Sequence, residues 1–407
     1  MKKILWVSDF APYVSKNHAG GKTFSYYFDK LYNDENYKIS LVCCHWEKNP
    51  DKIKKDLSLL NEKLENLEKF KLVYHEGGFK YKIKKLANIE SKFNPFTKYA
   101  NMISNYSVNE ILRCLKVWKK EKYEPDFIIM EWTQIVLFAD KIKKLFPKSK
   151  LIASEHDVSF IGFERKMNYF GGIKKFVWKI KTKKLKAREI KTLKLSDYVL
   201  VHNKDNKKVL EENGINSSKI SWLVPFYDNL SNFERHPKKE NIIFYGAMNR
   251  SENYLSAIWF IENVLPKIKD LNLNFVVMGA SPSDELLKYK SENIVITGFV
   301  EDISPYFETA MCFVAPLLLG AGIKVKILEA LSSGIPILTN EIGIEGIDAE
   351  NEKQYFSAKS AEDYEKIIRE LYNDKISLDE NEIKTFVKDN FDLEKSLEGY
   401  KAILDKD

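Results

Sequence analysis

Apolar runs of strand length alternate with helical stretches along the chain, and this alternation limits the fold more than any other feature. The first series of runs is KILWVS (3–8), KISLVCC (38–44), DFIIM (126–130), KLIAS (150–154) and YVLVH (198–202). Each run is continuously apolar, which is typical of parallel strands covered on both faces. A helix is predicted around 22–33, and the lysine-rich residues 48–122 are expected to form helices and a loop.

A second series follows a break in this pattern. Its runs are NIIFYG (241–246), FVVMG (275–279), IVITG (294–298), MCFVAP (311–316) and IPILTN (335–340). The stretch 226–240 carries charge and proline without a clear period, so we interpret it as an interdomain linker. The pattern predicts an α/β protein with two Rossmann-like, doubly wound parallel-sheet domains, at 1–225 and 241–385. Residues 386–407 are predicted to form a C-terminal helix that packs back toward the first domain.

Ligands of open parallel sheets bind at the carboxyl ends of the strands, so two such domains facing each other predict a central cleft. The chain has 407 residues and a formal net charge of +7, which suits an anionic substrate or membrane surface. That excess is too small and too scattered for a nucleic-acid binder. No run approaches the ~18 apolar residues of a membrane span. The N-terminal run reads as a buried strand rather than a signal peptide, so a cytoplasmic protein is expected.

A glycine-rich turn stands between the run 311–316 and the next predicted helix, which runs to about Ser333 and carries three charged residues. Gly320 and Gly322 precede Lys324, Lys326 and Glu329. A helix start with little side-chain cover exposes N–H groups and favours anions, and a diphosphate fits this chemistry. Lys326 and Glu329 are spaced i,i+3 and share a helix face. A surface helix with a lysine–glutamate pair remains an equal alternative at this point.

Several motifs in order now resemble a known family. The block MCFVAPLLLGAGIKVKILEALSSGIPILTNEIGIEGI (311–347) resembles the donor-site signature of retaining GT-B glycosyltransferases, in particular the family-4-like group (glycosyl transferases group 1). The segments at 242–268 and 294–310 resemble the beginning and middle of the same domain. A looser resemblance extends to PYVSKNHAGGKTFSYYF (12–28), SEHDV (154–158) and 188–210.

The resemblance implies roles for the C-terminal residues. Glu329 corresponds to the second acid of a two-glutamate motif and would hold the nucleotide ribose. The first acid, which touches the donor sugar, falls at Ala321, where backbone N–H groups would serve instead. The diphosphate charge is assigned to Lys324 and Lys326, with Arg250 as a third candidate. The whole predicted donor set is Gly246, Arg250, Gly320, Ala321, Gly322, Lys324, Lys326, Glu329, Glu345 and Gly346. Glu345 is equally well read as a plain loop charge.

Two sites in the first domain complete the prediction. Gly20 and Gly21 follow the first strand and would let a phosphate or the acceptor approach the backbone; an ordinary turn is the alternative. His156 and Asp157 follow the run KLIAS, and the resemblance implies that a histidine here lies near the reacting sugar. Glu155 is a candidate general base or orienting group. Lys324 would stabilise the leaving diphosphate in catalysis.

The resemblance thus implies retaining sugar transfer from a nucleotide-diphosphate sugar to a glycan or lipid-linked acceptor, in bacterial surface glycan or glycolipid assembly. No Asp-x-Asp motif is placed for a divalent ion, so no metal and no cofactor are expected. The lysine-rich segment 171–194 carries interleaved apolar residues and would contact the anionic inner face of the plasma membrane, although a solvated helix face fits it too. A catalytically silent nucleotide-sugar-binding module and a nucleotide-sugar epimerase of the same architecture are the alternative functions.

Overall fold

Two separate parallel sheets organise the structure, a computed structural model that describes residues 1–14, 18–47, 49–74, 97–320 and 322–406. The chain divides into an N-terminal unit, residues 1–226 with 396–407, and a C-terminal unit, residues 227–395. All strand pairs in both sheets are parallel among the described residues. The predicted class of fold, two doubly wound parallel sheets with helices, is confirmed.

The sheet of the N-terminal unit has the order β3-β2-β1-β4-β5-β6-β7. Its strands are β1 (Lys2–Ser8), β2 (Tyr37–His45), β3 (Lys69–Tyr74), β4 (Phe127–Glu131), β5 (Lys150–Glu155), β6 (Tyr198–Val201) and β7 (Ile220–Trp222). The strand order reverses between β1 and β4, because β2 and β3 extend one way and β4 to β7 the other. Loops that leave the carboxyl ends of these strands diverge at that point and leave room for a ligand.

Helices cover both faces of this sheet. They are α1 (Ala19–Tyr32), α2 (Pro50–Lys63), α3 (Asn105–Lys120), α4 (Thr133–Val136), α5 (Ala139–Leu145), α6 (Ser159–Tyr169), α7 (Gly172–Leu195) and α8 (Lys204–Glu212). Because side chains alternate along a strand, Leu5 and Val7 pack into one core while Ile4 and Trp6 pack into the other. The second core also contains Tyr400 from the C-terminal end of the chain.

The lysine-rich region contains a strand that the sequence did not predict. Residues 48–122 were expected to hold helices and a loop, but β3 lies among them and pairs with β2 along six residues, Ser40↔Lys69 to His45↔Tyr74. Its sequence, KFKLVY, has only a short apolar run, and half of its residues are partly exposed because it forms the edge of the sheet. Edge strands carry weaker hydrophobic signals than central ones.

The sheet of the C-terminal unit has the order β10-β9-β8-β11-β12-β13. The strands are β8 (Asn241–Tyr245), β9 (Asn274–Met278), β10 (Ile294–Gly298), β11 (Cys312–Ala315), β12 (Ile337–Thr339) and β13 (Phe356–Ser357). The order reverses between β8 and β11. The helices up to residue 372 are α9 (Ser251–Asn263), α10 (Asp284–Leu287), α11 (Ser304–Thr309), α12 (Val325–Ser332) and α13 (Ala361–Tyr372), with a 3-10 segment at Leu265–Leu271.

The end of the chain differs from its prediction as one helix over 386–407. Helix α14 spans Glu380–Asn390, and α15 spans Leu393–Leu404. Phe391 adopts non-helical backbone angles between them (φ −128°, ψ 44°). Asp392 then accepts from the N–H groups of Glu394 and Lys395, at 2.9 and 3.0 Å, in the manner of a helix cap. The aspartate therefore starts a new helix where the amphipathic pattern suggested continuity.

Candidate functional site

The glycine-rich turn of the C-terminal unit lies between β11 and α12. Gly320 has φ 122° and Gly322 has φ 73°, both in the region that favours glycine because a side chain would clash with the backbone. The helix begins at Val325 rather than within the glycines, and Lys324 is the residue just before it. The predicted site residue Ala321 lies outside the described residues.

Lys324 is held over this turn by two oxygen atoms. Its Nζ donates to the carbonyl oxygen of Gly322 and lies 3.3 Å from Oε2 of Glu345. The two side chains are 10% and 12% exposed, so the ion pair is largely shielded from water. Gly346 follows with φ 75° and turns the chain directly after the carboxylate. Glu345 therefore forms an ion pair with Lys324, the lysine that is predicted to bind the diphosphate.

Lys326 extends from the first turn of α12 toward α9 and β8. Its Nζ donates to Oδ1 of Asn253 at 2.6 Å and lies 4.5 Å from the centre of the Phe244 ring. Burial, together with the positive charges of Arg250 and Lys324, lowers the pKa of this lysine from 10.5 to about 7. An anion placed next to this buried amine would stabilise its charged form.

The loop after β8 contributes the remaining predicted donor residues. Arg250 pairs with Glu252 at 2.8 Å, and Glu252 lies near Gly320, where a Cβ would come within 3.9 Å of its Cγ. A Cβ at Gly246 would lie 2.8 Å from Nδ2 of Asn253, the residue whose amide oxygen binds Lys326. The structure thus gathers one cluster at the carboxyl edge of the sheet, beside the β8/β11 reversal: Gly246, Arg250, Gly320, Gly322, Lys324, Lys326, Glu345 and Gly346.

Backbone contacts hold the two strand ends of this cluster close together. A Cβ built at Gly279, which follows β9, would lie 1.7 Å from the carbonyl oxygen of Gly246. The N–H of Gly246 donates to the carbonyl of Met278 at 3.0 Å, and that of Met248 donates to Ala280 at 3.1 Å. The loop that carries Arg250 is therefore anchored to the neighbouring strand by its backbone.

Glu329 has a separate environment, although it lies one turn beyond Lys326. Its side chain is buried, at 5% exposed, and Oε1 accepts from the N–H of Asp228 at 3.3 Å. Lys326 and Glu329 therefore contact different residues despite their i,i+3 spacing. A buried carboxylate that accepts backbone N–H groups suits recognition of hydroxyl groups.

In the N-terminal unit, Gly20 lies beside His156. His18 caps α1 by accepting from the N–H of Gly21 on its Nδ1 at 2.9 Å, which fixes the helix start. A Cβ at Gly20 would lie 3.2 Å from Nε1 of Trp132 and 3.3 Å from Nδ1 of His156. The glycine thus lets the backbone of α1 approach the imidazole closely. Gly20 and His156, which were predicted independently, are therefore neighbours in the structure.

His156 is held by groups that the sequence did not reveal. Its Nε2 lies 2.7 Å from Oε1 of Glu131, the last residue of β4. Its ring stacks on Trp132, with centroids 4.7 Å apart and planes 17° apart. The ring of His202 lies against it at a tilt, with centroids 4.7 Å apart and planes 32° apart. The sequence could have indicated these neighbours only by their positions. Glu131 ends β4 and His202 follows β6, the strands on either side of β5, and His156 follows β5.

Glu131, His156 and His202 are the described residues whose ligand atoms lie close enough for a metal ion, all within 4.8 Å of one another. One observation favours a hydrogen-bonded cluster instead. Glu131 already accepts from Trp6 on Oε2 at 2.8 Å and from Ser154 on Oε1 at 2.7 Å. Burial, with His156 beside it, holds the pKa of His202 well below its usual range, so that this ring is neutral.

Glu155 is placed differently from its prediction as a general base or orienting group for His156. Successive side chains of β5 point to opposite faces, so Ser154 and His156 face Glu131 while Glu155 does not. The Glu155 carboxyl is fully buried and accepts from the Thr133 hydroxyl. Burial raises its pKa to about 8, so it is largely protonated at neutral pH. Glu155 therefore contacts Thr133 rather than His156, and its role as a general base stays a prediction.

These features define the class of protein. Residues 239–374 match the family model of the glycosyl transferases group 1, the group that the motifs in this part of the chain resemble. The paired parallel sheets are those of GT-B glycosyltransferases.

The relatives agree with this class. The chain is 24% identical over 370 residues to an uncharacterized 44.6 kDa protein in the cps region of Klebsiella pneumoniae, covering 87% of both chains. It is 26% identical over 349 residues to an uncharacterized glycosyltransferase of Methanocaldococcus jannaschii, covering 75% of this chain and 82% of the relative. A solved structure of similar fold is Anabaena HepE in complex with UDP-glucose, with a TM-score of 0.64, 11% identity and 99% of both chains covered.

Proposed function

We propose that this glycosyltransferase moves a sugar, with retention at the anomeric carbon, from a nucleotide-diphosphate sugar to an acceptor hydroxyl. The C-terminal residues 241–385 bind the donor, and residues 1–225 bind the acceptor, with 226–240 as the linker. One observation carries this proposal: Arg250, Lys324 and Lys326 converge on a glycine turn beside the β8/β11 reversal. Positive charge concentrated at a strand edge and helix start is suited to a diphosphate.

In this proposal the diphosphate and the ribose of the donor bind to different kinds of side chain. The diphosphate lies against Lys324 and Lys326, which stabilise the charge that develops on the leaving group. The ribose hydroxyls donate to Glu329, which is buried and already accepts a backbone N–H. His156 lies near the reacting sugar. Since lysines supply the positive charge, turnover is expected to persist in EDTA, and strict dependence on added Mn²⁺ would contradict this part of the proposal.

The decisive experiment compares nucleotides that differ by one hydroxyl. We expect the wild type to bind UDP more tightly than 2′-deoxy-UDP by isothermal titration calorimetry, because a buried acceptor left unpaired weakens binding. Glu329→Ala should bind both equally and about tenfold or more weakly than the wild type binds UDP. Glu365→Ala, on α13 and paired with Arg369, is the matched control and should behave as wild type. Equal discrimination in the Glu329 and control variants would refute the ribose assignment.

A thermal-shift panel of nucleotide sugars identifies the donor. A true donor at about 100 times its Kd adds roughly 2.7 kcal/mol to the free energy of unfolding. Sugar transfer to an added acceptor then separates a transferase from an epimerase and from a silent binding module, which would bind the donor without transferring it.

The proposal also covers the acceptor and the place in the cell where the enzyme acts. Among the described residues, none of the helices combines the length and apolar character needed to cross a bilayer. Helix α7 presents Ile173 and Phe176, 84% and 64% exposed, among lysines at its N-terminal end. We propose that this end contacts the anionic inner face of the plasma membrane, where the enzyme glycosylates a glycan or lipid-linked acceptor. The relative in the cps region supports a role in bacterial surface glycan assembly.

A further inference from the structure

We propose that Glu131 is a positioning residue that holds His156 in the tautomer with its proton on Nε2, so that Nδ1 faces Gly20 as a hydrogen-bond acceptor for a substrate hydroxyl. The catalytic meaning of this arrangement rests on the proposed function. The arrangement itself rests on contacts within the N-terminal unit and can be measured without any substrate.

The hydrogen bonds around Glu131 select this tautomer. The indole N–H of Trp6 can only donate, and it reaches Oε2 at 2.8 Å. The hydroxyl of Ser154 donates to Oε1 at 2.7 Å. Nε2 of His156 lies 2.7 Å from the same Oε1, and an ionised carboxylate offers only acceptors. The imidazole must therefore donate from Nε2, which leaves the lone pair on Nδ1 in the neutral ring.

Aromatic neighbours limit the orientation of the His156 ring, and therefore the direction in which its Nδ1 atom points. Trp132 stacks on the His156 ring, and the ring of His202 lies against it at a tilt of 32°, with both centroid separations at 4.7 Å. His202 is itself fixed, because its Nδ1 lies 3.1 Å from the carbonyl oxygen of Leu223. Trp132 has φ 70°, a backbone conformation that a bulky residue rarely adopts, and such strain is typical of functional sites. The ring therefore has little freedom to rotate or tilt.

The Nδ1 side of the His156 ring faces Gly20 at the start of α1. A Cβ at Gly20 would approach Nδ1 to 3.3 Å, so any larger residue would occupy the space in front of that atom. The imidazole is 10% exposed, enough for a hydroxyl to reach it beside the helix start. Glu131, Trp132 and His202 together orient a single acceptor atom toward this space.

The proposal predicts that His156 changes its tautomer in a Glu131→Gln variant. Because Trp6 can only donate, the amide oxygen of the glutamine must face Trp6, and its NH₂ group then faces His156. Nε2 of His156 must now accept, so its proton moves to Nδ1. The substitution retains size and hydrogen bonding but converts Nδ1 from an acceptor into a donor.

The experiment records long-range ¹H–¹⁵N spectra of histidine-labelled protein without ligand, with the His156 signals assigned through their loss in His156→Gln. We expect the Nε2–H tautomer in the wild type and the Nδ1–H tautomer in Glu131→Gln. The matched control is Asp56→Asn, which neutralises a second histidine–carboxylate pair in the same unit, with His45 Nε2 and Asp56 Oδ2 3.0 Å apart. This control should leave the spectrum of His156 and the activity unchanged.

Activity supplies the second readout. Glu131→Gln should lower kcat by about a hundredfold while the Kd for UDP stays within about threefold, because the donor site is untouched. Combining it with His156→Gln should cost no more than His156→Gln alone. An Nδ1–H tautomer in the wild type overturns the inference, as does an unchanged tautomer in Glu131→Gln. If Glu131→Gln does not fold, the wild-type spectrum decides. If the wild type transfers no sugar, the proposed function fails while the tautomer comparison still decides this inference.

Discussion

Nζ of Lys324 lies 3.3 Å from Oε2 of Glu345 in a contact that is nine-tenths shielded from water. The lysine proposed for the diphosphate is therefore already neutralised by a carboxylate in the unliganded protein. A diphosphate that arrives at the glycine turn must share or displace this partner. The donor site is set up so that binding exchanges one negative partner for another, rather than filling an unpaired charge.

Removing that carboxylate should strengthen nucleotide binding. We expect Glu345→Gln to lower the Kd for UDP by roughly fivefold, about 1 kcal/mol, since Lys324 no longer has a competing partner. Isothermal titration calorimetry at low salt measures this change. Glu341→Gln breaks an exposed pair with Lys359, 2.5 Å apart in the same unit, and should have no effect. Weaker UDP binding in Glu345→Gln would instead show that the glutamate contacts the nucleotide directly.

Donor binding should depend on pH through Lys326. Burial lowers the pKa of this lysine to about 7, so it is increasingly neutral as the pH rises from 6 to 8.5. Affinity for UDP-glucose, whose diester phosphates do not titrate in this range, should fall with rising pH, and binding should take up protons above pH 7. Calorimetry in buffers of different ionisation enthalpy measures the uptake. Lys326→Met should abolish the dependence, while Lys366→Met, which changes an exposed lysine of α13, should retain it.

The same burial has a cost in stability. In the unfolded chain Lys326 recovers its ordinary pKa of 10.5, so between pH 7 and 10.5 the unfolded state binds more protons than the folded one. The free energy of unfolding therefore rises with pH across this window, and the penalty is complete below pH 7. We expect Lys326→Met to raise Tm by several degrees at pH 6.5 and by progressively less toward pH 10. Thermal unfolding across this range measures the difference, and a constant difference would contradict the assignment.

A methyl group at Gly20 should reduce activity without reducing stability. Alanine favours helices, but its Cβ would lie 3.2 Å from Trp132 and 3.3 Å from His156, and the stacked rings would have to shift. We expect Gly20→Ala to lower kcat by about tenfold or more, with Tm unchanged or slightly higher. Gly399→Ala, in α15, has no atom within 4 Å of the added Cβ and should raise Tm slightly with full activity. Steady-state kinetics and calorimetry separate the two variants.

The proposed membrane contact depends on one exposed aromatic residue. Phe176 is 64% exposed among lysines on α7, whereas Phe299 is 76% exposed in the C-terminal unit. We expect binding to vesicles containing phosphatidylglycerol at low salt, its loss at high salt, and roughly tenfold weaker binding in Phe176→Glu. Phe299→Glu should bind as wild type. Vesicle co-sedimentation measures all three, and equal losses in both variants would remove the proposal.

The sequence predicted the central strands well because their apolar runs are continuous. It missed β3, whose edge position leaves half of its residues partly exposed. Positive φ at Gly320 and Gly322 keeps the turn before α12 out of helical geometry. The predicted donor residues lie within one stretch of chain and a loop near it in space, so motif spacing alone could group them.

The environment of His156 could not be predicted in the same way. Glu131 precedes it by 25 residues, and a single glutamate at the end of an apolar run looks like an ordinary loop charge. Only the parallel register of β4 with β5, which aligns Glu131 with Ser154, places the carboxylate beside the imidazole. Conversely, Glu155 adjoins His156 in sequence but faces away because strands alternate. Glu131 is thus distant from His156 in the sequence and in contact with it in space, whereas Glu155 adjoins His156 in the sequence and faces away from it.

The backbone contact between Gly246 and Gly279 also limits how this enzyme can change its donor. A Cβ at position 279 would lie 1.7 Å from the carbonyl oxygen of Gly246, so no other amino acid fits without separating β8 from β9. A saturation library at position 279 should therefore return only glycine among active clones. Variation at Arg250 or Glu345 meets no such barrier, because these side chains extend from the loops. Laboratory evolution of new sugar preferences would have to proceed through those loops, on a backbone that these two glycines leave almost no freedom to vary.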